Sequence, residues 1–486
     1  MAKFYDTLLG EYIKNPGVKG LSLDDIASKE FDYKMISYDE VSEKQTKNFT
    51  EVDLVTASKY SAEDVYITNL IYQKQLKEGV VDNKVLKNIE NPLIEVLRDI
   101  EINGVKIDQN KLKQIGVFLE KEIINQEKII FEIAGEEFNL KSPKQVGEIL
   151  FDKLQLPQGK KTKTGYSVDN EVLEYLALEH PIAKHIVLYR GYFKILSTYV
   201  EGLLKLVDKD TKKIHTSYNQ AVTTTGRLSS TSPNLQNIPT GKDVYGSIRE
   251  AFIPYKENDL IVSFDYSQIE VRLLAIMSGD ENLTGSFLQN LDIHKMTGYF
   301  LFGKDDITSE ERKIAKAVNF GVIYGISPFG LSKMIGISQK QAKEYIDKFY
   351  EKYPKVKDFF SKTIEFCEKN LYVETLFGRK RFIDGINDRN AIIKKAKERE
   401  AINMPIQGTS ADIIKIAMIK INDFLIKNDL KSCMIMQVHD ELVFNVVENE
   451  FEIIKKEIPL IMENIIDDKI KLKVDMGFGK NWGECK

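Results

Sequence analysis

The chain has 486 residues, 43% of them hydrophobic, and a formal net charge of −4, values typical of an ordinary folded protein of about three domains. No apolar run approaches the roughly 20 residues of a membrane helix, and the N-terminus lacks a signal-peptide pattern, so we expect a cytoplasmic protein with no membrane partner. The three cysteines, Cys367, Cys433 and Cys485, are scattered and odd in number, which excludes a disulfide framework and a CxxC zinc site.

The charge is unevenly distributed along the chain. Residues 1–90 hold 12 Lys, no Arg and 16 acidic residues, which accounts for the whole net charge, whereas residues 141–213 and 304–357 each carry an excess of four basic residues. Short basic clusters lie at Lys160, Lys161 and Lys163, at Arg379, Lys380 and Arg381, and at Lys394, Lys395, Lys397 and Arg399. For any single cluster, a solvated helix or loop face is the simpler interpretation.

The first half of the chain is predicted to be mainly helical. Residues 1–86 read as helices separated by turn signals and form a small acidic unit. A long helix is predicted from Lys111 to Glu137, and a shorter one from Ser142, which is a capping residue followed by Pro at the first helical position. A basic loop then leads to a further helix near Asp169.

The pattern changes after about residue 213. The segments KIHTSYNQA, DLIVSFDY and CMIMQVHDELVFNVV are short, β-branched or apolar, and read as strands. A helix-rich stretch, roughly 277–430, lies between the last two. A sheet formed from sequence-distant strands with a helical insertion between them is an α+β arrangement.

Two acidic residues lie at the ends of the predicted strands. Asp265 follows a buried-type strand, and His439 and Asp440 interrupt two apolar runs that read as a hairpin. If both strands belong to one sheet, the two carboxylates converge and suit Mg²⁺ or Mn²⁺ rather than zinc. Two such ions catalyse phosphoryl transfer. The alternative, that each acid is a turn residue or a salt-bridge partner, would be preferred for Asp265 alone, but the second acid and the helix below favour the metal site.

A cationic and aromatic stripe follows a capping box formed by Thr308 and Glu311. At four-residue intervals come Arg312, Lys316, Phe320 and Tyr324. Residues four apart share one face of a helix, so the cations and the aromatics form one stripe. This order suits a nucleoside triphosphate, with charge for the phosphates and flat apolar surface for the sugar and base. An amphipathic helix with two surface cations and two core aromatics is the rival interpretation, but it leaves the residue order unexplained.

Five segments together resemble one family. DYSQIEVR at 265–272, RKIAKAVNFGVIYG at 312–325 and QVHDEL at 437–442 resemble motifs A, B and C of family A DNA polymerases. TGRLSSTSPNLQNIP at 225–239 and EREAINMPIQGTSADI at 398–413 resemble two further blocks of that family. The general likeness runs from about residue 88 to the C-terminus.

The resemblance implies an α+β right-hand polymerase of the large-fragment type, with an antiparallel palm sheet and helical fingers and thumb. The thumb would be residues 88–213, the palm 214–276 and 400–486, and the fingers 277–399. Residues 1–87 would be a small, mostly helical remnant of an exonuclease domain.

The resemblance also implies two-metal catalysis. Asp265 and Asp440 would bind two Mg²⁺ ions, for which Mn²⁺ could substitute, with the Tyr266 carbonyl as a further ligand and Glu441 close by. The implied catalytic residues are Asp265, Asp440, Lys316, Arg312 and Glu441. Lys316 would protonate the pyrophosphate leaving group.

The implied substrates are dNTPs and a primer-template DNA, bound by a monomer. The nucleotide-binding residues would be Gln268, Glu270, His294, Arg312, Lys316, Phe320 and Tyr324. The DNA-binding residues, mainly on the minor-groove side, would be Arg227, Asn234, Gln236, Arg399, Asn403, Gln407 and His439. Glu270 would select deoxynucleotides by closing the space beside the sugar 2′ position. The basic loop at Lys160–Lys163 would lie in the thumb and neutralise the DNA backbone.

Departures from the family pattern are slight. Ser232 stands where the family usually has Asp, Lys313 replaces the second Arg of motif B, and Val271 replaces Leu. None of these changes removes a group that the chemistry requires.

The N-terminal residues resemble only the last exonuclease motif. YSAED at 60–64 resembles that motif, in which Asp64 would be a metal ligand, but the preceding acidic motifs have no counterpart upstream. A lone carboxylate cannot hold two metal ions, so we expect no proofreading and expect Asp64 to be an ordinary surface or helix-terminal acid. A 5′-nuclease is likewise not expected.

Two rival functions remain to be compared. A single-subunit RNA polymerase has a related palm, but Glu270 and Phe320 are typical of the deoxynucleotide-specific family. A non-catalytic DNA-binding or scaffold protein could keep the fold. The intact acids, together with Arg312 and Lys316, argue against that second reading.

Overall fold

The computed structural model describes residues 4–17, 20–44, 46–157, 161–162, 165–241, 244 and 246–485. The first of two compact units consists of Met1–Ile102, Tyr218–Thr231 and Ser263–Met476. The second consists of Asn103–Ser217, Ser232–Val262 and Gly477–Lys486. In the predicted basic loop, Lys160 and Lys163 lie outside the described residues, so its role in DNA binding stays a prediction, as do the five domain boundaries.

Helices dominate the described residues. The α-helices are α1 (Thr7–Lys14), α2 (Leu23–Phe31), α3 (Tyr38–Val41), α4 (Leu54–Lys77), α5 (Asn91–Asn103), α6 (Gln109–Ala134), α7 (Pro143–Gly147), α8 (Asn170–Leu176), α9 (Pro181–Lys194), α10 (Gly202–Leu206), α11 (Ile269–Ser278), α12 (Glu281–Leu288), α13 (Ile293–Phe302), α14 (Ser309–Ile323), α15 (Pro328–Ile335), α16 (Gln339–Lys352), α17 (Pro354–Asn370), α18 (Ala391–Lys427) and α19 (Phe451–Glu463). The segments Leu86–Glu90, Glu148–Lys153 and Ile195–Glu201 are π-helical.

The strands are short and widely separated along the chain. They are β1 (Val105–Ile107), β2 (Lys161–Thr162), β3 (Gly165–Tyr166), β4 (Lys213–Ile214), β5 (Ser217–Asn219), β6 (Ser229–Thr231), β7 (Phe252–Ile253), β8 (Leu260–Tyr266), β9 (Tyr372–Glu374), β10 (Lys380–Phe382), β11 (Cys433–Val438), β12 (Glu441–Val446) and β13 (Val474–Gly479). Among the residues that the structure describes, two sheets have more than two strands, with the orders β11-β12-β8-β13 and β4-β1-β7.

The four-stranded sheet contributes β11, β12 and the end of β8 that carries Asp265 to the first unit. Strands β11 and β12 pair antiparallel in the register Val438↔Glu441, with a bulge between Met434 and Met436. Every side chain of β12 is buried, which agrees with its nearly continuous apolar sequence. Phe264 of β8 packs edge-on against Phe444 of β12, with ring centroids 5.6 Å apart. Helix α18 packs against α11, α17 and α19 through a long buried face.

The second unit has its own core. Helix α9 packs against both α6 and α8, and an apolar cluster that includes Ile130, Ile186 and Tyr189 lies in this core. In the three-stranded sheet, β1 pairs antiparallel with both β4 and β7. Phe252 of β7 packs edge-on against Trp482, which is fully buried.

Most elements predicted from the sequence are confirmed. The helix at Lys111–Glu137, the Ser142 cap, the strand that ends near Asp265 and the hairpin around His439 are all present. The small hairpin of β9 and β10 within the helix-rich stretch was missed. Cys367, Cys433 and Cys485 form no disulfide bond with one another. In the described part of the chain, no helix is both long and apolar enough to span a membrane.

Candidate active site

The two predicted metal-binding acids come from neighbouring strands. Asp265 is the penultimate residue of β8, and Asp440 lies in the two-residue turn between β11 and β12. Strand β12 lies beside β8 in the sheet, and the Tyr266 N–H donates a hydrogen bond of 3.1 Å to the Asp440 carbonyl. The sheet therefore brings the two acids together from distant points of the sequence, with both side chains half-buried.

The turn that carries Asp440 is fixed by contacts that the sequence analysis did not predict. His439 adopts a φ of 57°, in the left-handed region that tight hairpins require, and its side chain is exposed. The buried Gln437 side chain donates to the His439 carbonyl at 2.6 Å. The Tyr218 hydroxyl bonds both the N–H and the carbonyl of Gln437, at 2.9 and 3.2 Å. These contacts fix the backbone from which Asp440 projects.

The donor set at the strand ends suits hard divalent cations. It consists of the carboxylates of Asp265 and Asp440 and the carbonyl of Tyr266, whose hydroxyl is anchored to the Met462 carbonyl at 2.8 Å. Oxygen donors of this kind match Mg²⁺. No group of three or more His, Cys, Asp or Glu side chains in the described residues could hold a metal ion, so the fit rests on two carboxylates and one carbonyl. Glu441, predicted beside them, is only 2% exposed.

Helix α14 carries the predicted stripe. The capping box is confirmed, since the Glu311 N–H donates to the Thr308 hydroxyl at 3.2 Å and the Thr308 N–H to the Glu311 carboxylate at 2.8 Å. Lys316 is exposed, and its ammonium lies 5.8 Å from the centre of the Phe320 ring. The helix ends at Ile323, and Tyr324 is its C-cap.

Arg312 is held by a carboxylate that the sequence analysis did not single out. Its Nε and Nη2 lie 2.9 and 2.8 Å from Asp292 Oδ2. Burial acts to raise the pKa of Asp292, but hydrogen bonds from the Lys295 N–H and from Arg312 outweigh burial and leave that pKa below its ordinary value. The available signal was that Asp292 is the N-cap of α13, a position that favours acids and holds the side chain at the helix N-terminus.

His294 is buried between α13 and α14. It is 2% exposed, and its ring centre lies 5.8 Å from that of Phe320. Burial lowers the pKa of His294 to about 4, and the cations Arg312 and Lys316 act in the same direction while Asp292 opposes them. The imidazole is therefore neutral at physiological pH.

Glu270 links two other predicted site residues. Its Oε1 accepts from Arg227 Nη2 at 2.7 Å, and its Oε2 accepts from the Tyr324 hydroxyl. Burial, followed by the charge of Glu270, raises the pKa of Tyr324, and a hydrogen bond with Gln407 opposes the rise. Arg227, Glu270, Tyr324 and Gln407 therefore form one cluster, although they come from four separate segments.

The C-terminal end of α14 faces α18. Gly325 has a φ of 64°, and a Cβ there would lie 2.7 Å from Ile402 Cδ1 and 3.1 Å from Arg399 Cγ, so both conformation and space favour glycine. The Asn403 Oδ1 is buried and has no hydrogen-bond partner among the described residues. A cavity of about 440 Å³ is lined by Phe320, Gly321, Tyr324, Ile326, Ser327, Gly330, Met334 and Arg399.

The remaining predicted residues, Gln268, Asn234 and Gln236, are less closely associated with the other predicted site residues. Gln268 is half-buried, has a φ of 54° and precedes α11. Asn234 and Gln236 belong to the second unit, whereas all the other predicted site residues belong to the first. There the Asn234 side chain accepts a hydrogen bond of 3.0 Å from the Gln236 N–H.

The α+β fold, with acids at adjacent strand ends and a cationic helix in the same unit, is that of a right-hand polymerase. The family model described as DNA polymerase family A matches residues 109–484. The chain belongs to this family.

Similar proteins extend over nearly the whole chain. DNA polymerase I of Bacillus subtilis (strain 168) is 44% identical over 99% of this chain and 55% of its own length, and DNA polymerase I of Bacillus caldotenax is 42% identical with the same coverage. The POL domain of Pol1 from M. smegmatis, in complex with DNA primer-template and dNTP, matches with a TM-score of 0.88 and 32% identity, over 99% of this chain and 82% of that one. The chain thus spans about half the length of these curated relatives.

Proposed function

We propose that this chain is a DNA-directed DNA polymerase that adds deoxynucleotides to a primer 3′-hydroxyl and releases pyrophosphate. The observation that carries the proposal is the hydrogen bond between Tyr266 and Asp440, because it joins the two acid-bearing strand ends of one sheet. Membership of the family and the similarity to a polymerase bound to primer-template and dNTP support it.

In this proposal, Asp265, Asp440 and the Tyr266 carbonyl hold two Mg²⁺ ions. When bound, such ions activate the attacking hydroxyl and stabilise the leaving oxygen. Mn²⁺, which takes similar oxygen ligands, can replace them. Chelation by EDTA is expected to abolish synthesis, and added Mg²⁺ to restore it.

The residues of α13 and α14 bind the incoming nucleotide. Arg312, oriented by Asp292, forms charge-assisted hydrogen bonds with the triphosphate. Lys316 is exposed and holds a proton that it donates to pyrophosphate. Phe320 and Tyr324 offer apolar faces to the sugar and base, and Glu270 excludes a 2′-hydroxyl. Gln268 is a further proposed nucleotide-binding residue.

The primer-template is bound without sequence preference. Arg, Asn and Gln side chains that contact phosphates and the minor-groove edge provide such binding, because that edge distinguishes few base pairs. The proposed contacts are Arg227, Asn234, Gln236, Arg399, Asn403, Gln407 and His439. The monomeric state and cytoplasmic location expected from the sequence stay predictions.

The test is extension of a labelled primer-template with Mg²⁺ and dNTPs. Asp440→Ala removes one proposed metal ligand, and we expect a rate at least about 100-fold lower, the scale on which a single strong electrostatic group acts. Asp467→Ala removes an acid that is fully exposed in the same unit and is expected to extend normally. Undiminished synthesis by Asp440→Ala would refute the metal assignment.

The same assay distinguishes the rival functions. A single-subunit RNA polymerase would extend equally well or better with rNTPs, whereas we expect strong preference for dNTPs. A scaffold protein would bind the primer-template and extend nothing. Incubation of a mismatched 3′ end without dNTPs tests our further proposal that Asp64 supports no proofreading; shortening of the primer would contradict it.

A further inference from the structure

Asn319 lies between two polar side chains of the neighbouring helix. It is 1% exposed and belongs to α14, one residue before Phe320. Its Nδ2 lies 2.8 Å from His294 Nδ1, and its Oδ1 accepts from the Thr297 hydroxyl at 2.9 Å. His294 and Thr297 are three residues apart on α13 and so share one face of that helix. A single amide therefore contacts both.

The orientation of this amide determines where the histidine holds its proton. The amide oxygen of Asn319 accepts from the Thr297 hydroxyl, and its NH₂ group faces His294 Nδ1. A nitrogen that accepts from N–H cannot itself carry a proton. The neutral ring must then be protonated at Nε2, and the imidazolium, which would set one N–H against another, is disfavoured.

Burial and the neighbouring charged groups affect the protonation of His294 in addition to its contact with Asn319. The charged groups that act on the ring are Asp292 on the preceding turn and Arg312 and Lys316 on α14. Burial lowers the pKa of His294 to about 4. Among the described residues, the ring nitrogen of His294 that has a hydrogen-bond partner is Nδ1, so a proton on Nε2 is available to a ligand.

We infer that Asn319 is a positioning residue that fixes His294 as the neutral Nε2–H tautomer, a hydrogen-bond donor to the triphosphate of the incoming nucleotide. The inference rests on the proposed function for its ligand, but not for the state of the histidine. Arg312 and Lys316 supply positive charge, whereas His294 supplies a directional hydrogen bond, because a neutral N–H favours one geometry. The neutral ring also adds no further positive charge beside the two cations.

The direct test is NMR titration of protein labelled in its five histidines, with His294 assigned by His294→Gln. We expect the wild-type signal to show the Nε2–H tautomer and no titration above about pH 5. An Nδ1–H tautomer, or a pKa of 6 or higher, would overturn the inference. This measurement needs no activity, so it stands even if the protein is not a polymerase.

Two variants provide a second readout. Asn319→Asp places a carboxylate against Nδ1 and is expected to raise the pKa of His294 by at least about one unit, as an opposite charge at this distance does. Thr297→Val removes the hydroxyl that orients the amide and is expected to produce a mixture of tautomers. An unchanged His294 signal in a folded Asn319→Asp protein would also contradict the proposal.

Kinetics separate positioning from a merely structural role. The ratio of the dNTP KM of Asn319→Asp to that of wild type is expected to change at least threefold between pH 6 and pH 9, while the kcat ratio changes less. A purely structural effect would shift both ratios equally at every pH. Lys313→Ala, which alters an exposed residue of the same helix, is expected to leave the histidine signal and the KM unchanged.

Discussion

Glu270 is held by two hydrogen-bond donors, Arg227 and Tyr324, and is only 6% exposed. A carboxylate in this position is costly to bury unless both oxygens are bonded. The two contacts therefore fix its side chain in one orientation. A rigid group can exclude a hydroxyl from a substrate, whereas a mobile one moves aside.

We predict that Glu270→Ala will lower the preference for dNTPs over rNTPs by about tenfold or more, because removing the side chain opens space for a 2′-hydroxyl. The measurement is the ratio of kcat/KM for dATP and ATP in primer extension. Tyr324→Phe is the matched control, since it removes one hydrogen bond and keeps the carboxylate. If both variants lose selectivity for dNTPs equally, that selectivity depends on the orientation that Tyr324 gives to the Glu270 side chain rather than on the bulk of Glu270.

The sequence indicated the strand ends and the helix that carry the proposed site residues, but it did not indicate the partners of those residues. The strand ends at Asp265 and Asp440 and the stripe on α14 could be recognised because local spacing encodes them. Asp292, Asn319 and Gln437 were missed as partners of site residues. Two of those contacts join different helices, and the third depends on the left-handed backbone of a turn, which the sequence specifies only weakly.

At the scale of elements, a buried charged network joins segments far apart in the chain. Glu90 ends a π-helical segment, Arg379 precedes β10, and Asp412 and Lys415 belong to α18. Arg379 Nε lies 2.8 Å from Asp412 Oδ1, and Lys415 Nζ lies 2.7 Å from Glu90 Oε1, with all four side chains 0% exposed. Arg379 also bonds Glu90 directly.

This network was beyond sequence analysis. Glu90 and Lys415 are 325 residues apart, and each looks like an ordinary surface charge in its own helical pattern. Only the tertiary fold pairs them. Arg379 was interpreted as part of a solvated basic cluster, and that interpretation is wrong, because its side chain is fully buried. A buried ion pair does not by itself imply stability, but loss of one partner leaves an uncompensated charge.

We predict that Glu90→Gln will lower the free energy of unfolding at pH 7 by about 3 to 5 kcal/mol. Burial alone would raise the pKa of Glu90, but Lys415 and Arg379 lower it to about 2. A carboxyl whose pKa is lower in the folded than in the unfolded state, where it is about 4.3, stabilises the fold above that value. This contribution is lost as the pH falls from about 4 to 2.

The difference in the free energy of unfolding between wild type and Glu90→Gln should therefore become smaller below pH 4. Urea unfolding followed by circular dichroism at pH 7, 4 and 3 measures it. Glu448→Gln, at an exposed position, is the control and is expected to change stability by less than about 0.5 kcal/mol. A difference for Glu90→Gln that stays constant across this range would contradict the assigned ionisation.

At the scale of the whole molecule, the placement of charge matters more than its sum. The net charge of −4 belongs to residues 1–90, and the remainder of the chain carries equal numbers of acidic and basic residues. A nucleic-acid partner responds to the local field of the surface that it contacts. The negative total is therefore compatible with binding to DNA.

We predict that the affinity for primer-template DNA falls at least about tenfold between 50 and 200 mM salt, because cations in contact with phosphates release counterions. Arg399→Ala, at an exposed position of α18, is expected to weaken binding and to reduce the slope of log K against log salt by about 1. Lys59→Ala, at an exposed position of α4 in the acidic segment, should leave the slope unchanged. Fluorescence anisotropy of a labelled primer-template across the salt series measures both slopes. An affinity independent of salt, or an equal loss of slope in the two variants, would show that binding does not depend on where the basic residues lie.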